Sequence, residues 1–205
     1  MNKQGLSLIS GGIDSPVSSY LMTRQGYALT GVHFENFPYA EPWVEKRALE
    51  LAKKAGLKHA FVVKNAVNLD AYARECNPRF LCIIDRRMMF RVCAALAEKE
   101  QASFVVTGES LAQVASQTLQ NLYVENTASR LPVVRPLIGM DKEEIIKIAR
   151  KLGTFERSVA ESSCGFIPHK PATGAWLREI EEEESKLDVD GIAEKTASSA
   201  KRVKL

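Results

Sequence analysis

Apolar and polar positions along this chain alternate between two periods, one typical of strands and one typical of helices. Short apolar runs predict five strands, at residues 5–10, 27–34, 59–65, 103–108 and 131–139. Helical spacing of apolar residues predicts helices between and after them, at residues 15–25, 44–55, 83–99, 109–122 and 141–153. Because strands that alternate with helices form parallel sheets covered on both faces, we expect an α/β fold. Its sheet would be doubly wound, parallel and five-stranded, with helices on both faces.

The last of these helices is bounded by residues that start and stop helices. Asp141 suits the N-cap position and Gly153 suits the C′ position. Residues 70–77 fit either a short helix or a loop, and an acidic helix that contains EEEE follows later in the chain. We expect one domain over residues 1–190 and then a polar C-terminal tail, 191–205, whose basic end KRVKL frays.

The composition is that of an ordinary soluble globular protein. Of the 205 residues, 45% are hydrophobic and 26% are charged, so a sizeable core is available. The net charge of +3 does not by itself predict binding to nucleic acid. No apolar run approaches the length of a membrane span, and the N-terminus lacks the pattern of a signal peptide. We therefore expect a cytoplasmic protein with no membrane contact.

The cysteines lie in chemically different settings. They stand at positions 76, 82, 93 and 164 and form no CxxC pair, which argues against a zinc ribbon or an iron–sulfur site. Cys93 falls in an apolar helical segment, so we expect it to be buried and unreactive. Cys164 lies in the stretch SSCGFIPHK, where His169 and Lys170 favour its thiolate form. Cys164 is therefore the candidate reactive thiol.

The stretch SGGIDS, residues 10–15, directly follows the first predicted strand. Ligands of doubly wound sheets bind at the carboxyl ends of strands. Gly11 and Gly12 let the backbone approach a ligand, and the N–H groups of a turn and a helix N-terminus attract an anion. The stretch is neither a Walker A loop nor GxGxxG. A tight turn is the plain alternative, but the whole hexapeptide favours a phosphate site.

SGGIDS closely resembles the PP-loop of the N-type ATP pyrophosphatases, which transfer AMP to a carbonyl oxygen and release pyrophosphate. Further stretches together resemble the 4-thiouridine synthetase family, ThiI: RRMM at 86–89, TGESLAQVASQT at 107–118, RPLIGMDKEEII at 135–146 and CGFIPHKPAT at 164–173. These signatures run in the family's order from residue 6 to about residue 190. The resemblance implies an adenine nucleotide alpha hydrolase-like fold with ATP and Mg²⁺ as cofactors.

By position, the resemblance implies nucleotide contacts at Leu8, Ile9, Ser10, Gly11, Gly12, Asp14, Ser15, His33, Phe34, Arg86, Gly108 and Gln117. Arg86 would offer a planar fork to phosphate, and Gly108 would leave room for the nucleotide. Their alternatives are an ordinary solvated arginine and a simple turn, and Gln117 also fits a surface helix position.

Asp14 and Lys142 have implied catalytic roles. Asp14 would steer the phosphates through Mg²⁺ or hold the amides of the loop, and Lys142 would neutralise charge on the leaving pyrophosphate. A capping aspartate and a solvated first-turn lysine are the plain alternatives. No side chains are assigned as ligands of a resident metal site.

Cys164 matches the family cysteine that attacks a persulfide sulfur, so the resemblance implies that it is catalytic. Either Cys76 or Cys82 could be the thiol that resolves the resulting disulfide. Full-length members also have a THUMP domain that binds RNA, and some have a rhodanese domain, and we expect neither domain here because no stretch of this sequence resembles them. We therefore expect tRNA to bind with a separate RNA-binding protein. A cysteine desulfurase or a rhodanese protein would be the persulfide donor, and a homodimer stays open.

The first hypothesis is an ATP-dependent tRNA sulfurtransferase. It would adenylate a carbonyl oxygen of a tRNA uridine, release pyrophosphate and allow sulfur to replace oxygen, which gives 4-thiouridine. A second hypothesis keeps the chemistry of ATP but changes the acceptor to a small molecule or another nucleobase. A third is a nucleotide-binding subunit without catalysis.

Overall fold

A six-stranded sheet organises the part of the chain that a computed structural model describes, residues 3–111, 113–114, 117–158, 165–166 and 170–205. The strands are β1 (Gln4–Leu8), β2 (Ala28–Glu35), β3 (His59–Lys64), β4 (Val105–Val106), β5 (Val133–Val134) and β6 (Lys201–Lys204). Their order across the sheet is β5-β4-β1-β2-β3-β6. The five predicted strands pair in parallel, whereas β6 pairs antiparallel to β3. The α/β class is confirmed, but the predicted count of five strands is wrong.

Helices connect the strands as the alternating pattern predicts. They are α1 (Asp14–Arg24), α2 (Val44–Lys54), α3 (Ala66–Glu75), α4 (Leu81–Glu100), α5 (Leu119–Asn126), α6 (Lys142–Leu152), α7 (Phe155–Ser158), α8 (Leu177–Glu184) and α9 (Val189–Ser198). A single 3₁₀ turn, Pro78–Phe80, leads into α4. Within the described residues, none of these helices is both long and apolar enough to cross a membrane.

One open alternative is resolved and one helix prediction needs correction. The ambiguous segment 70–77 proves to be mostly helical, because it overlaps the C-terminal half of α3. The predicted helix 109–122 is wrong in its first part, where the described residues are not helical, and α5 begins only at Leu119. Thr118 is the N-cap of α5, since its side chain accepts a hydrogen bond from the backbone N–H of Asn121.

The two faces of the sheet have separate apolar cores. Leu6 and Leu8 of β1 belong to the larger core, together with buried residues of α3, α4 and α9. Ile9 belongs to the smaller core, with Met22 of α1 and Ala52 of α2. Because successive side chains of a strand point to opposite faces, the largely apolar run at the end of β1 buries residues on both sides.

The basic C-terminal end does not fray as predicted. Residues 201–204 pair with β3 from His59↔Lys204 to Val62↔Lys201, and the backbone N–H of Leu205 donates to the carbonyl of Lys58 at 3.0 Å. Helix α9 crosses the predicted domain boundary at residue 190 and contacts α4. The end of the chain therefore completes the edge of the sheet.

The order of the strands reverses beside β1. From β1 the chain builds β2 and β3 on one side, and it then crosses to add β4 and β5 on the other. In open α/β sheets the crevice for a ligand lies at the carboxyl ends of the strands, at such a switch point. The topology therefore predicts a ligand site at the loops that follow β1 and β4.

Candidate active site

A cavity of about 600 Å³ opens at the carboxyl edge of the sheet, within the range of about 300–1,000 Å³ common for small-molecule sites. All twelve residues predicted as nucleotide contacts line it: Leu8, Ile9, Ser10, Gly11, Gly12, Asp14, Ser15, His33, Phe34, Arg86, Gly108 and Gln117. The structure therefore brings together residues from five separate parts of the sequence. Their roles toward a nucleotide stay predictions.

The loop from Ser10 to Ser15 is held by its own hydroxyl groups. The Ser15 Oγ accepts a hydrogen bond from the backbone N–H of Ser10 at 2.9 Å, and the Ser10 Oγ accepts one from the backbone N–H of Gly12 at 3.2 Å. The two hydroxyls lie 3.1 Å apart. Helix α1 begins in this loop, at Asp14, so its unpaired N-terminal N–H groups and its dipole favour an anion here.

Arg47 is a neighbour of this loop that the sequence analysis missed. A Cβ atom added to Gly11 would lie 2.7 Å from the Nε and 2.8 Å from the Nη2 of Arg47. The buried guanidinium stacks over Trp43, 4.3 Å from the ring centroid, and Nη1 donates to the carbonyl of Arg157 at 3.5 Å. Burial lowers the pKa of Arg47, but an arginine keeps its charge in proteins. Its position follows from α2 packing behind the loop, which no local motif indicates.

Gly108 is constrained by the first turn of α1. A Cβ atom at this position would lie 2.8 Å from the backbone nitrogen of Ser15 and 2.9 Å from the carbonyl carbon of Asp14. From the sequence, Gly108 is expected to leave room for a nucleotide. The structure adds a second constraint. Only glycine lets the chain after β4 approach the backbone of Asp14 and Ser15 this closely.

His33 stands at the end of β2 with a neutral ring. Burial lowers its pKa, an effect that the hydrogen bond to Ile9 and the nearby carboxylates only partly oppose. Its Nδ1 lies 3.2 Å from the carbonyl oxygen of Ile9, so Nδ1 carries the proton that it donates. Nε2 then remains an acceptor. Phe34, the next residue, is buried in the larger core and also lines the cavity.

Arg86 is held by a buried carboxylate, that of Glu109. The Nε of Arg86 lies 3.3 Å from one oxygen of Glu109, and the Nε of Arg135 lies 2.6 Å from the other. Thr107 also donates to Glu109, at 2.8 Å. Burial opposes ionisation of Glu109, but the two arginines and the hydrogen bonds lower its pKa. Glu109 lines the cavity, although the sequence analysis did not select it.

A second buried acid, Glu125 of α5, accompanies this cluster. Its pKa is raised well above its usual value, mainly by burial and then by the charge of Glu109, to which it is hydrogen-bonded. The protonated form of Glu125, which donates to the carboxylate of Glu109, is therefore favoured. The cluster keeps Arg86 at the cavity wall, where about a third of its side chain is exposed.

Lys142, in the first turn of α6, forms an ion pair with Asp14. Its Nζ lies 2.6 Å from the Asp14 Oδ1. Asp14 lines the cavity, so the ammonium group stands beside the loop that begins α1. Gln117 also lies in the cavity wall, and its Oε1 accepts a hydrogen bond from the backbone N–H of Ser110 at 3.4 Å.

Two of the described thiols, Cys76 and Cys93, are poor nucleophiles. Burial is the main cause that raises the pKa of Cys93 to about 12 and that of Cys76 to about 11. Cys82 is half-buried on α4. Cys164, predicted to be the reactive thiol, and His169 lie outside the described residues. Within the described ranges, no group of three or more His, Cys, Asp and Glu side chains is placed to hold a metal ion.

Comparisons with known proteins agree with this fold. A family model described as "Thiamine biosynthesis protein (ThiI)" matches residues 1–189. A protein named "Probable tRNA sulfurtransferase" from Moorella thermoacetica is 44% identical over 193 residues, which cover 91% of this chain and 50% of the relative. A protein of the same name from Finegoldia magna is 36% identical over 209 residues, covering 98% of this chain and 54% of the relative.

A solved structure at 30% identity matches over nearly the whole chain. It is a crystal structure of a 4-thiouridine synthetase–RNA complex with bound ATP. It superposes with a TM-score of 0.93 at 30% identity, over 98% of this chain and 55% of that chain. The chain thus spans about half the length of the curated relatives it matches.

Proposed function

The chain belongs to the ThiI family, and on that premise we propose that it activates a tRNA uridine with ATP for conversion to 4-thiouridine. The observation that carries the proposal is the meeting of all twelve motif residues in one cavity at the switch point of the sheet. The ATP bound in the matching 4-thiouridine synthetase structure supports the choice of nucleotide.

The loop 10–15 would bind the phosphates. Its backbone N–H groups and the N-terminus of α1 favour negative charge, and Gly11 and Gly12 leave the backbone accessible. Arg86 would add planar donors to the same phosphates, since Glu109 holds it at the cavity wall. His33 and Phe34, at the end of β2, would form the wall for the adenine.

Mg²⁺ would help to neutralise the phosphates. The residues present fit such an ion, because Mg²⁺ usually takes one or two carboxylates together with phosphate oxygens, and Asp14 is a carboxylate in the cavity wall. Lys142 would stand next to this charge and would stabilise the pyrophosphate as it leaves.

In the first step, the oxygen on C4 of a uridine attacks the α-phosphorus of ATP. An oxygen–phosphorus bond forms, the bond to the β-phosphate oxygen breaks, and pyrophosphate leaves with the electron pair. The protein's contribution is to hold the phosphates in line and to stabilise the charge that develops on the leaving group. The product is an O-adenylated uridine whose C4 is electrophilic.

In the second step, the terminal sulfur of a donor persulfide attacks C4, and AMP leaves. The Cys164 thiolate then attacks the inner sulfur of the donor and breaks its bond to the transferred sulfur. The sulfur stays on the uridine, and Cys164 and the donor are left joined by a disulfide. Another thiol displaces the donor thiol from this disulfide, and an external dithiol reductant reduces the second disulfide that results. Cys76 and Cys82 stay open as that thiol, and a cysteine desulfurase or a rhodanese protein would be the donor.

The test is the identity of the products. With ATP and unmodified tRNA, we expect pyrophosphate, and once a persulfide donor is added we expect AMP together with 4-thiouridine in the digested tRNA by mass spectrometry. A tRNA transcript with cytidine in place of the acceptor uridine is the matched control, because cytidine has an amino group on C4 instead of oxygen. Formation of ADP and phosphate would contradict adenylation.

A further inference from the structure

The loop between β2 and α2 forms one wall of the cavity. Its residues in the wall are Asn36, Phe37, Ala40, Glu41 and Pro42. A turn shapes this loop, because the carbonyl of Asn36 accepts hydrogen bonds from the backbone N–H groups of Tyr39 at 2.6 Å and of Ala40 at 3.1 Å. Tyr39 is the member of the turn that faces another part of the chain.

Tyr39 contacts the two described residues that follow Cys164 in the sequence. Its carbonyl oxygen accepts a hydrogen bond from the backbone N–H of Gly165 at 2.8 Å. Its ring meets the ring of Phe166 edge to face, with centroids 5.4 Å apart and an angle of 75° between the planes. Phe166 is buried in the larger core, so the contact attaches the loop to a side chain that is itself held by core packing.

The other end of the Tyr39 side chain is also held. Its hydroxyl donates to the Asp70 Oδ1 of α3 at 2.5 Å, and this hydrogen bond is the main cause that raises the pKa of Tyr39. The carbonyl and the ring of Tyr39 thus contact the segment 165–166, and its hydroxyl binds α3. Tyr39 cannot change its rotamer without losing the contact with Phe166 or the bond to Asp70.

We propose that Tyr39 is a positioning residue for sulfur transfer, which ties the segment after Cys164 to the wall of the nucleotide cavity. This inference rests on the proposed function, in which Cys164 must reach an intermediate formed beside the bound AMP. Holding a reacting group close to its target raises the rate strongly, and a misplacement of about 1 Å can cost about 10²-fold. The first step of the reaction does not use the thiol, so it does not depend on this contact.

Two substitutions in the full chain test the role of the Tyr39 ring separately from that of its hydroxyl. Tyr39→Ala removes the ring contact with Phe166 and is expected to lower the 4-thiouridine formed per pyrophosphate released by roughly 10- to 100-fold. Tyr39→Phe keeps the ring and loses only the hydrogen bond to Asp70. The 4-thiouridine formed per pyrophosphate released should therefore stay close to the wild-type ratio. Tyr123→Ala, at an exposed tyrosine of α5, is the matched control and should leave the ratio unchanged.

A second readout needs neither tRNA nor a sulfur donor. The rate at which iodoacetamide alkylates Cys164, measured by peptide mass spectrometry, should change in Tyr39→Ala and stay at the wild-type value in Tyr39→Phe and Tyr123→Ala. If Tyr39→Ala does not fold, Phe166→Leu removes the same ring contact from the other side while it keeps most of the apolar volume.

The two readouts distinguish failure of this inference from failure of the proposed function. If the wild-type chain forms no pyrophosphate with tRNA, the proposed function fails, and the alkylation rates alone decide whether Tyr39 positions the segment. If the wild type is active and Tyr39→Ala lowers both products equally, or neither, Tyr39 is not a positioning residue for sulfur transfer. Unchanged alkylation in both ring-removing variants would also overturn it.

Discussion

The Nζ of Lys142 lies 2.6 Å from the Oδ1 of Asp14, and this ion pair joins the first turn of α6 to the first turn of α1. A cation is normally unfavourable at a helix N-terminus, because the dipole of the helix is positive there. Asp14 offsets that cost and keeps the ammonium group beside the loop 10–15. The pair is partly exposed, with 43% of the Lys142 side chain accessible, so it contributes little to the free energy of unfolding.

Replacing Lys142 by alanine should therefore affect the reaction more than the fold. We expect Lys142→Ala to lower the rate of pyrophosphate formation by about 10²-fold, the usual effect of removing one group that stabilises developing charge. The free energy of unfolding should change by less than about 1 kcal/mol, as for other exposed ion pairs. Lys147→Ala, at an exposed lysine of the same helix, is the control. Wild-type kinetics in Lys142→Ala would leave this lysine an ordinary surface residue.

Gly108 and Gly139 offer a matched pair for testing the close approach of β4 to α1. In Gly108→Ala the new methyl group would meet backbone atoms of Asp14 and Ser15 within 3 Å, whereas at Gly139 nothing lies within 4 Å. Overpacking of this kind typically costs about 1–3 kcal/mol, and relief of the clash would move the N-terminus of α1. We expect Gly108→Ala to lower both the free energy of unfolding in urea and the affinity for ATP, measured by calorimetric titration. Gly139→Ala should change neither, and equal behaviour of the two variants would contradict the constraint.

The sequence predicts best those segments whose own residues determine their structure. Helix α6 is the clearest case: Asp141 and Glu144 form its capping box, and Gly153 ends it with a φ of 69°. The first three strands lie within two residues of their predicted positions. Part of the candidate site also follows from sequence pattern, because residues 8–15, residues 33–34 and Gly108 stand at or just after strand ends, which a parallel sheet brings to one edge. Arg86 and Gln117 do not stand at strand ends and were predicted from the family resemblance alone.

The errors come from contacts between parts of the chain that are distant in sequence. After Gly108, the apolar spacing suggests a helix, but Glu109 pairs with Arg86 and Arg135, and the Ser110 hydroxyl donates to the carbonyl of Met140. These contacts hold the backbone in another conformation. Strand β6 is likewise too short and too polar to recognise, since its structure depends on pairing with the edge of β3. No local pattern indicates such partners.

The neutral state of His33 makes stability depend on pH in a defined direction. Its pKa is lowered in the folded protein, mainly by burial, from a usual value of 6.5. As the pH falls below 6.5, the unfolded chain therefore binds a proton that the folded chain does not, and the free energy of unfolding decreases. In His33→Asn the amide can still donate to the carbonyl of Ile9 but does not titrate. When the pH falls from 7.5 to 5.5, the free energy of unfolding in urea should decrease less in the variant than in the wild type. The difference between the two decreases should be up to about 1.4 kcal/mol. An identical loss in both proteins would show that the ring is not buried as a neutral group.

The acids Glu109 and Glu125 lie in the same buried cluster, but we expect replacement by glutamine to be costly at Glu109 and nearly neutral at Glu125. Glu109 is ionised between Arg86 and Arg135, so Glu109→Gln leaves two arginines without their counter-charge. Breaking a buried ion pair from one side typically costs about 3–5 kcal/mol. Because Arg86 would also lose its support at the cavity wall, the affinity for ATP should fall in the same variant.

Glu125→Gln is the control that makes this test specific. Burial and the charge of Glu109 raise the pKa of Glu125 well above its usual value, which favours the neutral form that donates to Glu109. Glutamine has nearly the same shape and can still donate to Glu109, so stability in urea and affinity for ATP should both stay close to the wild-type values. A loss in Glu125→Gln as large as that in Glu109→Gln would mean that both acids are ionised. The arginines would then be balancing two charges, and Arg86 would have less of its charge left for a phosphate.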